Sequence, residues 1–419
     1  MSQSSVKGLF TRLSATSRSI WEHQFGTNEV SIESLCKRLL TLRGETSAIL
    51  VADEIIERLA TLTDENFLDF FEFLLAEMQP NQSKLDNAAQ KYLANPNPDT
   101  ISQLAKASDA QFMSLFRMIS TSPRGPHGLV KLRQSLVKLL GKNPHLQPID
   151  QGLVHLFRSW FNRGFLKLEK IDWTTPAHIL EKLISYEAVH EIKGWPDLRR
   201  RLNEDRRCYA FFHPALKDEP LIFVEVALVN TISDNIQTLL NQGPETATAQ
   251  LNTAIFYSIS NCQMGLKGIS LGNYLIKQVV RNLSIEFPEL KQFATLSPVP
   301  GFRKWFDANQ PSESSMSEPD QALLLEACAH YLINEKRNTF PLDPVARFHL
   351  GNGATLARIN WNGDESDRAQ HQSYGLMVNY LYDMSKVEKN HEAFLNNGTI
   401  SATASIQKLA AAYEKRQNL

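Results

Sequence analysis

The sequence has few of the features that mark secreted, membrane-bound or nucleic-acid-binding proteins. Only four of its 419 residues are cysteines, and none lies in a CxxC pair that could begin a zinc or redox site. No uninterrupted apolar run approaches the ~18 residues that a bilayer span requires. The 44 basic residues balance 45 acidic residues, which argues against a general polyanion binder. We therefore expect a globular, cytoplasmic protein with reduced thiols and without a membrane or nucleic-acid partner.

The first part of the chain has a helical period. Thr63 and two acidic residues precede an apolar stripe at i, i+3, i+4 and i+7 spacing, as at the start of an amphipathic helix. Similar stripes cover 112–119, 129–140 and 153–161, the last with Asp150 as a candidate cap. This pattern predicts an antiparallel helical bundle over residues 1–163, whose aromatic stripes serve core packing or subunit contact.

The second part, residues 164–419, alternates strands with helices. The run 220–229 is almost continuously apolar and β-branched, as in a strand covered on both faces. Further strands are predicted at 254–260 and 293–296, with an amphipathic helix between them. Its apolar face carries Leu275, Ile276, Val279, Val280 and Leu283. The alternation of strands and helices in this part predicts an α/β domain.

A glycine-containing loop joins the second of these strands to that helix. Free backbone N–H groups and the positive end of a helix together favour phosphate binding, although tight packing of the helix on the sheet would also require glycines. The loop has neither a GxGxxG motif nor a GK[ST] ending, so NAD and ATP sites are poorly supported. It is similar to the coenzyme A pyrophosphate arm of GNAT acyltransferases. The candidate binding residues are Lys267, Gly268, Ile269, Ser270, Leu271, Gly272 and Asn273.

Several stretches in order along the chain resemble the malonyl-CoA decarboxylase family. They are 190–195, 206–214, 220–229, 268–273, 296–302 and 348–354. The resemblance implies an α plus α/β fold: a helical bundle used in assembly, followed by a GNAT-like mixed β-sheet domain flanked by helices. It also implies a carboxy-lyase that converts malonyl-CoA to acetyl-CoA and CO2 without a metal or organic cofactor, and a homo-oligomer formed through the helical domain.

The resemblance places the family's Ser-His pair on Ser297 and His349, with a supporting tyrosine at Tyr382. An imidazole with a pKa near ~6.5 can protonate an enolate carbon, so His349 is the expected proton donor. The residues by themselves favour other interpretations, because a Ser-Pro after a strand is usually a turn and a histidine at a helix end is usually structural. Tyr382 lies in an alternating strand, where packing is its commoner role.

Two other functions remain open at this level. The same acyl-CoA cradle would serve a GNAT-type acyltransferase, or a sensor that binds acyl-CoA without catalysis. The arginines at 199–201 and 206–207 could meet coenzyme A phosphates, but interleaved acids favour a solvated helix surface. The histidines form no HExxH motif or Cys/His cluster, so no metal site is expected.

Overall fold

The computed structural model describes residues 30–241, 251–269, 272–309 and 320–417, without the side chains at 163 and 272–274. Backbone contacts divide the chain into two compact units after Phe165, and the short segments Pro214–Lys217 and Gln263–Ile269 belong to the first unit. Among the described residues, no helix combines the length and apolarity needed to cross a bilayer.

The first unit is helical. From residue 30 onward its α-helices, α1 to α8, are Ile32–Thr41, Glu45–Leu59, Asp64–Glu77, Gln82–Ala94, Pro98–Ser108, Gln111–Ile119, Gly125–Leu139 and Gln147–Trp160. The predicted stripes form its core, since Phe70, Phe116 and Phe157 are at most 1% exposed. Thr63 accepts a hydrogen bond from the Asn66 N–H and caps α3, as predicted.

Asp150 is not a helix cap. Helix α8 begins at Gln147, so Asp150 lies within its first turn and is buried. Its carboxylate accepts a hydrogen bond of 2.8 Å from Arg133 Nε. Arg133 also donates to the carbonyl oxygens of Gly265 (2.7 Å) and Lys267 (2.8 Å), which fixes this returning segment on the helical unit. A Cβ at Gly265 would lie 1.9 Å from the Val130 carbonyl oxygen, so only glycine fits there.

The second unit contains the strands. Strands β1 to β10 are Lys167–Ile171, Arg206–Phe212, Ile222–Val229, Thr253–Asn261, Gln292–Thr295, Ser297–Pro298, Lys336–Arg337, Phe340–Pro341, Thr355–Asn360 and Met377–Leu381. Helices α9 to α18 are Ala177–Tyr186, Trp195–Arg201, Ile236–Asn241, Gly272–Glu286, Phe302–Ala308, Gln321–Ile333, Pro344–Gly351, Asp367–Ser373, Val387–Asn397 and Ala404–Gln417. The predicted strand at 220–229 corresponds to β3, which is buried along its whole length.

One mixed sheet organises this unit. Its strand order is β1-β2-β3-β4-β5-β10-β6, with β9 also paired to β10. Strands β4 and β5 are parallel, and helix α12 crosses between them with the predicted apolar face buried. Their pairing ends at Phe256 and Thr295, whereas β4 continues to Asn261. The predicted fold class, a helical region followed by a mixed sheet flanked by helices, is confirmed.

Candidate active site

Ser297 stands directly beyond the end of the β4–β5 pairing. It pairs with Val378 of β10, so its backbone is fixed in the sheet. Its hydroxyl donates a hydrogen bond of 2.8 Å to Thr295 Oγ1, and Thr295 Oγ1 also accepts from the Tyr380 N–H at 3.1 Å. Thr295 and Ser297 are two residues apart and therefore share one face of the extended chain. The Ser-Pro turn suggested by residue type is instead a short strand in which Ser297 is buried.

His349 is brought to Ser297 by helix α15. It lies in the last turn of this helix, fifty-two positions after the serine, and its Nε2 is 3.1 Å from Ser297 Oγ. Its Nδ1 is 2.9 Å from the hydroxyl of Tyr382, the residue that follows β10. The Tyr380 ring stacks on the imidazole with centroids 4.6 Å apart. The three residues Ser297, His349 and Tyr382 thus form one hydrogen-bonded chain.

The donor and acceptor in each of these hydrogen bonds follow from the Ser297 hydroxyl. Because the Ser297 hydroxyl donates to Thr295, its contact with His349 requires Nε2–H as the donor. In the neutral imidazole, Nδ1 is then an acceptor and receives the Tyr382 O–H. The tautomer is assigned by this network.

Burial controls the charge of the group. Ser297, His349 and Tyr382 are only 5%, 4% and 2% exposed. Desolvation lowers the pKa of His349 to about 3, and it raises the pKa of Tyr382 well above its ordinary value. The expectation of an imidazole with an ordinary pKa is therefore wrong for the unliganded protein. At neutral pH His349 is uncharged.

A cavity of about 330 Å³ opens beside this chain. Ser297 and His349 line it, together with mostly apolar side chains from β4 and α15. Its other lining residues are Val189, Phe256, Tyr257, Ser258, Ile259, Asn261, Pro298, Pro344, Val345 and Phe348. The cavity therefore places Ser297 and His349 on a largely apolar wall, which suits a small ligand that carries a polar group.

Sequence reasoning missed two residues around the histidine. Thr295 binds the serine hydroxyl, and Tyr380 stacks on the imidazole. Tyr380 and Tyr382 are two residues apart, and so are Thr295 and Ser297. Alternate residues of a strand point to the same face, so the residues two positions before Ser297 and Tyr382 could have been predicted as neighbours of the site.

The predicted acyl-CoA loop is described only in part. Lys267, Gly268 and Ile269 belong to the helical unit, and α12 begins at Gly272. Ser270 and Leu271 lie outside the described residues, as do the side chains of Gly272 and Asn273. Gly268 has a positive φ of 81°, and no described atom lies within 4 Å of the position that a Cβ would take.

The arginine cluster is an ion-pair network. Arg201 is 2% exposed and pairs with Glu225 at 2.8 Å and with Asp197 at 3.1 Å. Asp205 pairs with Arg200 and with Arg206, which is 3% exposed. The solvated-surface interpretation is therefore wrong for Arg201 and Arg206.

Comparison with known proteins finds a family match in each of the two parts of the chain. The family model described as the malonyl-CoA decarboxylase C-terminal domain matches residues 164–419, and the model of the N-terminal domain matches residues 78–161. The chain belongs to the malonyl-CoA decarboxylase family. It is 36% identical over 358 residues to the mitochondrial malonyl-CoA decarboxylases of Mus musculus and Anser anser anser. The matched part is 74% of this chain and 73% and 71% of those proteins.

Solved structures of the family agree in fold. The malonyl-CoA decarboxylase from Rhodopseudomonas palustris is 42% identical, with a TM-score of 0.85 over 90% of this chain and 98% of that one. The enzyme from Agrobacterium vitis is 44% identical, with a TM-score of 0.84 over 91% of this chain and 99% of that one. The predicted family and its enzyme class, the carboxy-lyases, are confirmed.

Proposed function

We propose that this protein converts malonyl-CoA to acetyl-CoA and CO2 at Ser297, His349 and Tyr382. The observation that carries the proposal is the contact of 3.1 Å between Ser297 Oγ and His349 Nε2 on the wall of a largely apolar cavity. Membership of the malonyl-CoA decarboxylase family supplies the substrate.

The substrate provides its own electron sink. When the C–C bond to the carboxylate breaks, the electron pair passes to the α-carbon and is delocalised onto the thioester carbonyl as an enolate. The reaction therefore needs no metal or organic cofactor, and this remains part of the proposal. The protein has to supply a donor for the enolate oxygen, a weakly hydrated setting for the carboxylate and a proton for the α-carbon.

We assign the proton to His349. The balanced reaction takes a malonyl carboxylate and one proton and gives CO2 and an acetyl thioester. Burial keeps the imidazole neutral in the free protein, but a carboxylate bound nearby raises the pKa of a histidine. His349 therefore takes up its proton as the substrate binds and transfers it from Nε2 to the α-carbon after CO2 has left.

Ser297 and Tyr382 support that transfer. The Ser297 hydroxyl can rotate from Thr295 Oγ1 toward the enolate oxygen, where it stabilises the developing charge. Tyr382 donates to Nδ1 of the neutral imidazole and accepts from Nδ1–H once His349 is protonated, and so keeps Nε2 directed at the cavity side. A covalent acyl-serine is unnecessary because no acyl group passes to a second acceptor.

We assign the coenzyme A diphosphate to the loop Lys267–Asn273. Within its described part, the left-handed backbone and open surroundings of Gly268 support a close approach of ligand to main chain. Lys267 is exposed and can offer a positive charge.

The deciding experiment gives the purified protein malonyl-CoA and no acceptor, in D2O. Release of CO2, with acetyl-CoA that carries one deuterium on its methyl group, is the expected result. A Ser297→Ala/His349→Gln double variant, purified in the same way, controls for contaminating enzymes. An acyltransferase would form product only after an amine acceptor is added, and a sensor would bind malonyl-CoA without turnover, so either result refutes the proposal.

We also propose a homo-oligomer formed through the helical unit. Helix α5 has no buried residue, and Leu93 and Ile101 on α4 and α5 are 77% and 53% exposed. Large exposed apolar side chains on two consecutive helices favour an interface between copies. Sedimentation measures the assembly directly.

The cytoplasmic location stays a prediction, and the vertebrate relatives are named as mitochondrial proteins.

A further inference from the structure

Asp343 is a fully buried carboxylate at the start of α15. It is 0% exposed, and its Oδ1 accepts hydrogen bonds from the backbone N–H groups of Val345 (2.9 Å) and Ala346 (2.8 Å). Exposed serine, asparagine or aspartate gives a helix the same cap without the cost of burying a carboxylate. The burial of this cap therefore needs a reason, and the reason is sought in His349, which helix α15 carries.

Helix α15 forms much of one wall of the active-site cavity. Pro344, Val345, Phe348 and His349 are four of its eight residues, and all of them line the cavity. A helix this short is not stable by itself, so its position depends on the groups that hold its ends. The imidazole of His349 meets Ser297 and Tyr382, which lie on other elements, only if α15 stays in place.

Asp343 also faces the other segments that build the site. The Gly301 backbone N–H, four residues after Ser297, stabilises its charged form. Tyr331 and Cys328 face it from α14, Tyr380 from β10 and Arg347 from its own helix. The Tyr380 ring is the one stacked on the imidazole.

We propose that Asp343 is a positioning residue for the reaction: by capping α15, it holds His349 Nε2 within hydrogen-bonding distance of Ser297. It does not touch the substrate. The inference rests on the proposed roles of Ser297 and His349, and it adds the group that sets their distance.

The same carboxylate gives the site a pH dependence. Burial raises the pKa of Asp343 to about 6, against the opposing effect of the Val345 and Ala346 N–H groups. Below that pH the protonated carboxyl accepts hydrogen bonds less well. His349, with its pKa lowered to about 3 in the free protein, does not titrate in this range. Proton uptake by His349 on substrate binding favours acid throughout this range, so we expect protonation of Asp343 to appear as a downward bend in the kcat/KM profile on acidification through about pH 6.

Two substitutions separate the cap from the charge. Asp343→Ala removes the acceptor, whereas Asp343→Asn keeps a side-chain oxygen that cannot titrate. Ser366→Ala is the matched control, because Ser366 caps α16 through the Ala369 N–H and does not line the cavity. Each variant is assayed for kcat and KM with malonyl-CoA, for unfolding in urea, and by NMR of 15N-labelled histidine.

Asp343→Ala is expected to lower kcat by roughly 10- to 100-fold with KM within a few-fold, because small displacements of a catalytic group are costly. Asp343→Asn should keep kcat within about three-fold and should lack the bend in the kcat/KM profile near pH 6. The single-tautomer signal of His349 should persist in Asp343→Asn and average in Asp343→Ala. Ser366→Ala should leave kcat unchanged.

Several results would overturn the proposal. They are a kcat for Asp343→Ala within two-fold of wild type, an unchanged His349 signal in that variant, or an Asp343→Asn variant that is as inactive as Asp343→Ala. If Asp343→Ala does not fold, a bend near pH 6 that persists in the kcat/KM profile of Asp343→Asn overturns it. Failure of the wild-type protein to release CO2 would instead refute the proposed function.

Discussion

Two buried polar clusters, one in each unit, are built on opposite principles. In the helical unit Arg133 and Asp150 are charged partners, and Arg133 donates to one carboxylate and two carbonyl groups of the protein. In the sheet unit Ser297, His349 and Tyr382 form a hydrogen-bonded chain that burial keeps neutral. The first cluster directs its donors into the protein, whereas the second faces a cavity.

This difference separates a structural cluster from a reactive one. A buried ion pair is tolerated when hydrogen bonds satisfy its atoms, and removing one partner then leaves a charge without compensation. A neutral imidazole held by two hydroxyl groups can still gain a proton when a ligand brings a negative charge. Substitutions in the two clusters should therefore affect different measurements.

The largest effect is expected at His349. His349→Gln removes the proton donor and should lower kcat by about 10²- to 10⁴-fold, the usual contribution of general acid catalysis. The unfolding free energy should change by only about 1 kcal/mol, because a neutral hydrogen-bonding group replaces another. Steady-state release of CO2 measures the first effect and urea unfolding the second. A kcat within a few-fold of wild type would show that another group delivers the proton.

Arg133→Met tests the structural cluster. It leaves Asp150 as a buried carboxylate without its cation and should cost about 3 to 5 kcal/mol of unfolding free energy. Urea unfolding followed by circular dichroism measures the loss. The double variant Arg133→Met/Asp150→Leu should recover much of it, because apolar replacement of both partners removes the uncompensated charge. A loss below about 1 kcal/mol in the single variant would contradict the comparison.

The smallest effect concerns acid stability. Because burial lowers the pKa of His349 to about 3, between pH 6.5 and that value the unfolded chain binds a proton that the folded chain does not. Stability from this residue is therefore complete above pH 6.5 and declines on acidification, by about 2 kcal/mol at pH 5. The unfolding free energy of His349→Gln, measured above pH 6.5 and at pH 5, should not show this decline.

The exposed His178 provides the control for that measurement. Its side chain is 53% exposed, so His178→Gln removes a histidine without removing a buried one. Equal acid sensitivity of His349→Gln and wild type would contradict the buried, neutral imidazole.

Local sequence patterns predicted the helices and strands better than they predicted which side chains contact each other. The apolar runs at 220–229 and 254–260 correspond to strands β3 and β4, and Thr63 caps helix α3. Asp150 was misinterpreted because an acidic residue in the first helical turn looks the same in sequence whether it caps the helix or meets a cation from another helix. The buried Arg201 was misinterpreted for a similar reason, since its partner Glu225 lies on β3, 24 positions later in the sequence.

The site residues were named by resemblance, and their chemistry depended on burial. By residue type, Ser297 suggested a turn and His349 an ordinary helix-end histidine with a normal pKa. The fold places the two within 3.1 Å and lowers the pKa of the imidazole to about 3. Desolvation depends on all surrounding atoms, so a single residue type does not reveal it.

Amino-acid order alone thus determined the class of the protein, because helical and strand periods, capping residues and family motifs are local and survive in one dimension. Only the tertiary structure decided which serine meets which histidine, which carboxylate caps which helix and which imidazole stays uncharged. These depend on distances across the sheet and on exclusion of water, both of which arise when distant segments pack together.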